Sequence, residues 1–201
     1  MRILCLYNND CAIRLFKWLE LQGNECIYWK DDIEISWLLN LDIELAVSYT
    51  YNRLVKPDVI AMLKGNVVNI HNSYLPFNRG SDPNLWSLVE DTPRGVSLHY
   101  IDEKLDKGFL IEQVLLSKPN CNLATLRTTY DELDDAAYEM FKKAFLDYSH
   151  WNNMKKIVYG QGSYHSDKDG EWLRRLITSY DMKVSDFLER IRLMQVCRKS
   201  C

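Results

Sequence analysis

The first 63 residues alternate short β-rich runs with helical patterns, and that alternation constrains the fold more than any other feature. Ile3–Asn8 reads as a strand, Ala12–Gln22 as a helix ending near Gly23, Glu25–Trp29 as a second strand and Ile33–Leu41 as a short helix. Leu45–Tyr49 then reads as a third strand, and Pro57–Leu63 as a helix with proline at its start. Strands joined through helices need crossover connections and pair in parallel, so the expectation is an α/β fold. Its sheet is expected to be mostly parallel and twisted, with helices on its flanks. A chain of 201 residues with 47% hydrophobic content is long enough for one substantial core.

The later sequence changes character. Leu123, Leu126, Tyr130, Leu133, Ala137, Met140, Ala144 and Tyr148 keep helical spacing, and this stripe is read as core on a long helix. After it, Gly160-Gln161-Gly162-Ser163 is a loop, followed by short amphipathic helices near Gly170–Tyr180 and Val184–Leu193. The expected organisation is a domain over 1–150 and a small helical appendage over 151–201. Trp151, Tyr159 and Trp172 in that appendage suit core and a homodimer interface equally.

Candidate chemistry sits between these parts. Residues 67–72 read Val-Val-Asn-Ile-His-Asn, a strand that places Asn69 and His71 on one face, with Val68 and Ile70 on the other. Ser73-Tyr74-Leu75-Pro76 ends that strand. Polar groups at the end of a buried strand are costly unless bonded or used, and open α/β sheets carry sites at the carboxyl ends of their strands. A second strand, Val96–Ile101, runs into a polar loop and then Leu105-Asp106-Lys107-Gly108, which lets Asp106 fold over a neighbouring strand end. Each residue also has an ordinary reading: His71 as a structural histidine, Asp106 as a turn residue, Asn69 as a brace. His99 ranks below His71, because it lies in an alternating strand with no polar partner nearby in sequence.

Taken together, Asn69, His71, Ser73, Leu75, Pro76, Arg79, Gly80, Asp106 and Gly108 resemble the motif of formyltransferases that use 10-formyltetrahydrofolate. The stretches Ser73–Ser87 and Thr92–Asp102 look like the branch that acts on nucleotide-linked amino sugars, and Gly162-Ser163-Tyr164-His165 adds to the likeness more weakly. The likeness covers roughly residues 1–120. Tyr74 replaces the family's first Leu, Phe109 replaces a second acidic residue after Gly108, and Tyr7–Cys11 lacks a Gly-Ser-rich phosphate loop.

The resemblance implies a Rossmann-like sheet, N10-formyltetrahydrofolate as co-substrate, and an amino sugar carried on dTDP, UDP or GDP as acceptor. Asn69 and His71 would stabilise the oxyanion of a tetrahedral species, and Asp106 would orient His71 or take the amine proton. Folate would lie beside Ile101, Asp102 and Leu105, facing a wall with Tyr49, Tyr51 and Leu54, with Val68 beneath. Tyr49 and Tyr51 read equally well as packing aromatics. The acceptor region is assigned to Ser73 as a brace, Asn78, Arg79, Asn84 and Trp86, where an arginine fork suits a diphosphate. Arg79 reads nearly as well as a structural loop brace.

Other features narrow the class. A net charge of −3 argues against nonspecific nucleic-acid binding. The six cysteines show no CxxC pairing, so neither zinc nor any other metal is expected, and free thiols fit a cytoplasmic setting. No run has membrane-spanning length, and residue 1 opens directly into the first strand rather than a leader. The product expected from the resemblance is an N-formylated sugar for bacterial surface polysaccharide of the O-antigen type. The competing readings are a methionyl-tRNA or amino-acid formyltransferase, a formyltetrahydrofolate hydrolase, and a silent folate- or nucleotide-binding module on the same fold.

Overall fold

A computed structural model describes residues 1–102, 106–158 and 160–199. The chain begins with β1 (Arg2–Leu6), a 3-10 turn (Asp10–Ala12), α1 (Ile13–Leu21), β2 (Glu25–Trp29), α2 (Ile35–Leu38), β3 (Leu45–Tyr49), α3 (Pro57–Met62) and β4 (Val67–His71). A short β5 (Arg79–Gly80), α4 (Pro83–Val89), β6 (Arg94–Tyr100), β7 (Leu110–Leu116) and α5 (Leu126–Phe145) follow. After a second 3-10 turn (Tyr148–Asn153) come β8 (Tyr164–His165), α6 (Asp167–Arg174) and α7 (Val184–Lys199).

Six strands form one sheet in the order β2-β1-β3-β4-β6-β7. β1 pairs in parallel with β2 and β3, and β3 with β4; β6 joins β4 antiparallel. The mostly parallel α/β architecture expected from the alternation is therefore present. Several boundaries differ for local reasons. The Asn9 side chain accepts from the Cys11 backbone N–H and tightens the entry into a 3-10 turn, so α1 starts only at Ile13. The long helix starts at Leu126 because Thr125 and Thr128 bond reciprocally, each hydroxyl accepting from the other's backbone N–H. Leu123 therefore precedes the helix and is 76% exposed, not part of the core stripe.

The chain divides into two compact units. The first comprises Met1–His71, Ser97–Gln113 and, from Ala137, the second half of α5 with the 3-10 turn after it. One of its cores joins Leu4 and Leu6 of β1, Ala46 of β3, Val59 of α3 and Val67 of β4, with Ile101 packed against them. Trp151 also belongs to this unit and is core: it is fully buried, and its indole N–H donates to the Ala144 carbonyl at 2.8 Å. Tyr159, grouped with it in the sequence, lies outside the described residues.

The second unit comprises Asn72–Val96, Val114–Ala136 and the described residues from Gly160 on. Leu85 and Trp86 of α4, Leu126 of α5, Leu173 of α6, and Val184, Phe187 and Ile191 of α7 form its core, with Trp172 packed against them. The C-terminal helices thus share a core with residues 85–126. Two-residue β5 and β8 pair in parallel, Arg79 opposite Tyr164 and Gly80 opposite His165. Gly80 has φ +89°, and a Cβ there would meet the His165 carbonyl oxygen at 2.2 Å, so this approach requires glycine.

Candidate active site

The first unit carries a row of polar side chains across three strands. In the parallel β3–β4 pair Ser48 lies opposite Asn69, and in the antiparallel β4–β6 pair Asn69 lies opposite His99. Opposed residues share a face, so register alone aligns hydroxyl, amide and imidazole. The Ser48 hydroxyl donates to Asn69 Oδ1 at 2.9 Å. That bond orients the amide and turns Asn69 Nδ2 toward His99 Nε2 at 3.4 Å and Asp106 Oδ1 at 3.5 Å. The adjoining row sets His71 opposite Ser97, whose hydroxyl accepts from Gln113 Nε2 at 2.9 Å.

Asp106 closes the cluster. Its side chain is only 5% exposed, with Oδ2 at 3.7 Å from His71 Nε2 and Oδ1 at 3.4 Å from His99 Nε2. A buried carboxylate needs such company, because desolvation without a partner is costly. The backbone explains how Asp106 arrives there. Asp106 adopts φ 50°, a left-handed conformation that Asp tolerates better than most residues. Gly108 then lies so close to the Tyr100 carbonyl that a Cβ would come within 1.7 Å of its oxygen. Any side chain at 108 would push the Asp106 loop off β6. The expected trio of Asn69, His71 and Asp106 is thus brought together, and His99, ranked low in the sequence, joins it. Its polar partners are 30 residues away at Asn69 and at the loop that follows, visible only once strand pairing is known.

The residues expected beside folate fare differently. Tyr49 is buried on β3, and Val68 is buried completely, backbone included, between its partners on β3 and β6, so it can only back such a wall from beneath. Ile101 packs on the core, and its N–H donates to the Val67 carbonyl at 2.8 Å. Asp102 is exposed, Leu54 is 69% exposed, and Leu105 lies outside the described residues. The Tyr51 hydroxyl donates to the Asp31 carbonyl at 2.5 Å; burial, then the Asp32 charge, pushes its phenol up to about 12.

On the acceptor side, in the second unit, two expectations need correction. Asn84 is fully buried; its Oδ1 accepts from Arg94 Nε at 3.2 Å and its Nδ2 donates to the Thr129 hydroxyl at 2.9 Å. Its amide is occupied by the interior and braces α4 rather than facing a substrate. Asn78 is likewise buried, bonded to the Thr92 hydroxyl and, through Oδ1, to the Ser163 hydroxyl. Ser73 is the brace expected of it, donating to the Phe77 carbonyl at 2.5 Å. Arg79 and Trp86 keep capacity: Arg79 Nε and Trp86 Nε1 are buried donors with no acceptor among the described residues. Trp86 also stacks on His165, ring centroids 3.8 Å apart and 8° from parallel, with His165 Nε2 at 3.3 Å from Glu90. The weak likeness of Gly162-Ser163-Tyr164-His165 to the sugar-nucleotide branch is the sequence signal for His165.

Among the described residues no group of three or more His, Cys, Asp or Glu side chains is arranged to hold a metal ion, and no helix is long and apolar enough to cross a membrane.

Known proteins share this fold. Across 93% of the chain and 97% of its counterpart, the fold superposes with a TM-score of 0.80 at 32% identity on the formyltransferase PseJ from Anoxybacillus kamchatkensis, solved with UDP-4,6-dideoxy-4-formamido-L-AltNAc and tetrahydrofolate. The fold is also shared, at TM-score 0.73 and 22% identity over 86% of this chain and 78% of the other, with Rv3404c from Mycobacterium tuberculosis, described as a likely sugar N-formyltransferase. In sequence the chain is 31% identical over 119 residues to a methionyl-tRNA formyltransferase of Fusobacterium nucleatum, covering 58% of this chain and 37% of that protein. It is 29% identical over 130 residues to a dTDP-4-amino-4,6-dideoxyglucose formyltransferase of Mycobacterium bovis, covering 63% and 53%. The chain thus spans between about a third and a half of the length of these curated relatives. The family model described as "Formyl transferase" matches residues 31–144, a span that holds Asn69, His71, His99 and Asp106, and the chain belongs to that family.

Proposed function

We propose that this protein transfers a formyl group from N10-formyltetrahydrofolate to the amine of a nucleotide-linked amino sugar. The observation that carries the reading is the likeness, across 93% of this chain at 32% identity, to a formyltransferase solved with a UDP-linked formamido sugar and tetrahydrofolate. On that footing a UDP-linked 4-amino-4,6-dideoxy sugar is the leading acceptor. The product would enter surface polysaccharide of the O-antigen type, made in the cytoplasm. The catalytic machinery is proposed to lie within 1–150, with 151–201 serving the acceptor end.

The chemistry follows from the cluster. The neutral acceptor amine attacks the formyl carbon, a C–N bond forms, and negative charge develops on the formyl oxygen. An Asn69 Nδ2 hydrogen and the His71 imidazole are the donors to that oxygen, and each such donor contributes about 3–4 kcal/mol. The Asp106 carboxylate would repel the oxyanion if it stayed charged. Taking the amine proton, directly or through a water, removes that charge as the oxyanion forms. Collapse breaks the bond from carbon to N10 of the folate, which leaves as an amine carrying a proton returned from the cluster. Holding amine and formyl carbon within reacting distance supplies the other large contribution.

Folate is assigned to the backbone near Ile101, Asp102 and Leu105, with Tyr49, Tyr51, Leu54 and Val68 around it. Arg79 Nε and Trp86 Nε1 are assigned to the acceptor, because buried donors without acceptors are stabilised when a ligand oxygen reaches them. The test incubates the protein with 10-formyltetrahydrofolate and a panel of UDP-, dTDP- and GDP-linked amino sugars, and reads acceptor mass. One added formyl group on one sugar supports the reading. Donor consumption with no acceptor gaining mass replaces it with hydrolysis, and folate binding without turnover replaces it with a silent module.

A further inference from the structure

We infer that His99 is a positioning residue whose Nε2, together with the Asn69 amide, fixes Asp106 Oδ1 in place. The inference deepens the formyl-transfer reading and rests on it for its kinetic part. Its basis is the hydrogen-bond pattern around one ring. His99 is 2% exposed, so neither ring nitrogen is satisfied by bulk water. Nδ1 lies 2.9 Å from the Tyr100 carbonyl, which can only accept, so Nδ1 carries a hydrogen. Nε2 is then the atom left to face Asp106 Oδ1 at 3.4 Å. A bare Nε2 against a bare carboxylate would set two lone pairs against each other in a buried place. Asn69 Nδ2 lies 3.4 Å from Nε2 and donates to Oδ1 at 3.5 Å, so the amide hydrogens sit between the two acceptors.

Two further features make this arrangement more than incidental packing. The Tyr100 carbonyl that fixes the ring is the same oxygen that Gly108 packs against, so one backbone atom sets both the imidazole and the loop bearing Asp106. The same Nε2 lies 3.4 Å from Asn69 Nδ2, which Ser48 orients from the other side. His99 therefore touches both groups assigned to the reaction from behind, and leaves Asp106 Oδ2 facing His71. His99 itself is placed against neither donor nor acceptor.

The test has two arms. The first needs no substrate: long-range 15N–1H spectra of the histidine side chains in the intact protein, wild type and Asp106→Asn. We expect His99 with Nδ1 protonated and an Nε2 resonance that moves on Asp106→Asn. A ring protonated at Nε2 with bare Nδ1, or an Nε2 signal indifferent to Asp106→Asn, overturns the inference. The second arm is kinetic. His99→Leu should lower kcat about 10²-fold through misplacement of Asp106 and Asn69, with the acceptor KM changed less than about 3-fold. His99→Gln, whose amide reaches the Nε2 position, should recover about 10-fold of that loss. An unchanged kcat in His99→Leu, or equal loss in both variants without any rescue, overturns the positioning role, and thermal melts separate either result from unfolding. If the wild type formylates no sugar while the spectra show Nδ1 protonated and an Nε2 that responds to Asp106→Asn, the proposed function falls and the His99–Asp106 pair stands.

Discussion

Two polar clusters of similar composition sit in the two units and are bonded in opposite ways. In the second unit Arg94 donates to Asn84 at 3.2 Å, to Glu132 at 2.7 Å and to the Thr129 carbonyl, and Asn84 uses both ends of its amide. Every strong donor there is matched at close range. In the first unit Asn69, His71, His99 and Asp106 face one another at 3.4 to 3.7 Å, while the Ser48 bond to Asn69 and the His99 bond to Tyr100 are 2.9 Å each. The anchors on the periphery are short, and the contacts in the middle are loose. A saturated network holds a fold; a network anchored at its edge and slack at its centre keeps hydrogen-bonding capacity for a reacting molecule, and catalytic contacts are often long before a substrate tightens them.

The contrast is broken most directly at its centre. Asn69→Ala should lower kcat by about 10²- to 10³-fold while the thermal unfolding midpoint stays near wild type, measured by formyl transfer and calorimetry. A large fall in stability instead would class Asn69 with the saturated network. In the second unit the opposite split is expected. Arg94→Leu leaves Asn84 Oδ1 without its donor in the interior and Glu132 without its partner, and should destabilise by about 3 kcal/mol in urea titration with kcat per folded molecule unchanged.

Trp86→Phe sharpens the assignment of the acceptor end. It keeps an aromatic ring against His165 but deletes the buried indole N–H and the volume of one ring, so stability should fall by about 1–3 kcal/mol while the acceptor KM of the folded protein rises about 5-fold, the size of one neutral hydrogen bond. Unchanged KM would return Trp86 to the core. The smallest effect belongs to the α6 cap, where the Ser166 hydroxyl accepts from the Asp169 backbone N–H and the Asp169 carboxylate accepts from the Ser166 backbone. Ser166→Ala should cost about 1 kcal/mol of stability in chemical denaturation. The Ser166 hydroxyl and backbone bonds hold the Asp169 carboxyl below its ordinary 3.8. A depressed folded-state value means a contribution present above that pH and lost as pH falls through the lower value. The acid limb of the stability profile should therefore flatten in the variant.

Local patterns carried the parallel half of the fold and the trio at its strand end. Leu45–Tyr49 is a strand at the bounds its sequence indicates, and Asn69 and His71 lie where period-two alternation puts them. What was not legible is non-local. His99 belongs to the cluster through an antiparallel register linking residues 69 and 99, which no window of sequence contains. Asn78 and Asn84 look like ligand groups in a polar stretch, and only their burial shows that they brace the interior. β5 and β8, two residues each, are too short for any periodicity, and α4 is a seven-residue helix opened by Pro83 from a left-handed Asp82.

The short ladder between β5 and β8 has a kinetic and thermodynamic reach out of proportion to its size. Asn78 and Ser163, which flank it, are 85 positions apart, so this pairing closes one of the longer loops in the chain and forms only after much of the intervening sequence has collapsed. It is therefore a candidate for the late, readily opened end of the stability spectrum. Under the proposed function, an acceptor that engages Arg79 or Trp86 with the ladder closed should by mass action slow backbone hydrogen exchange along Tyr164–Arg174. Exchange in a segment far along the chain would thus report acceptor occupancy without any turnover at all.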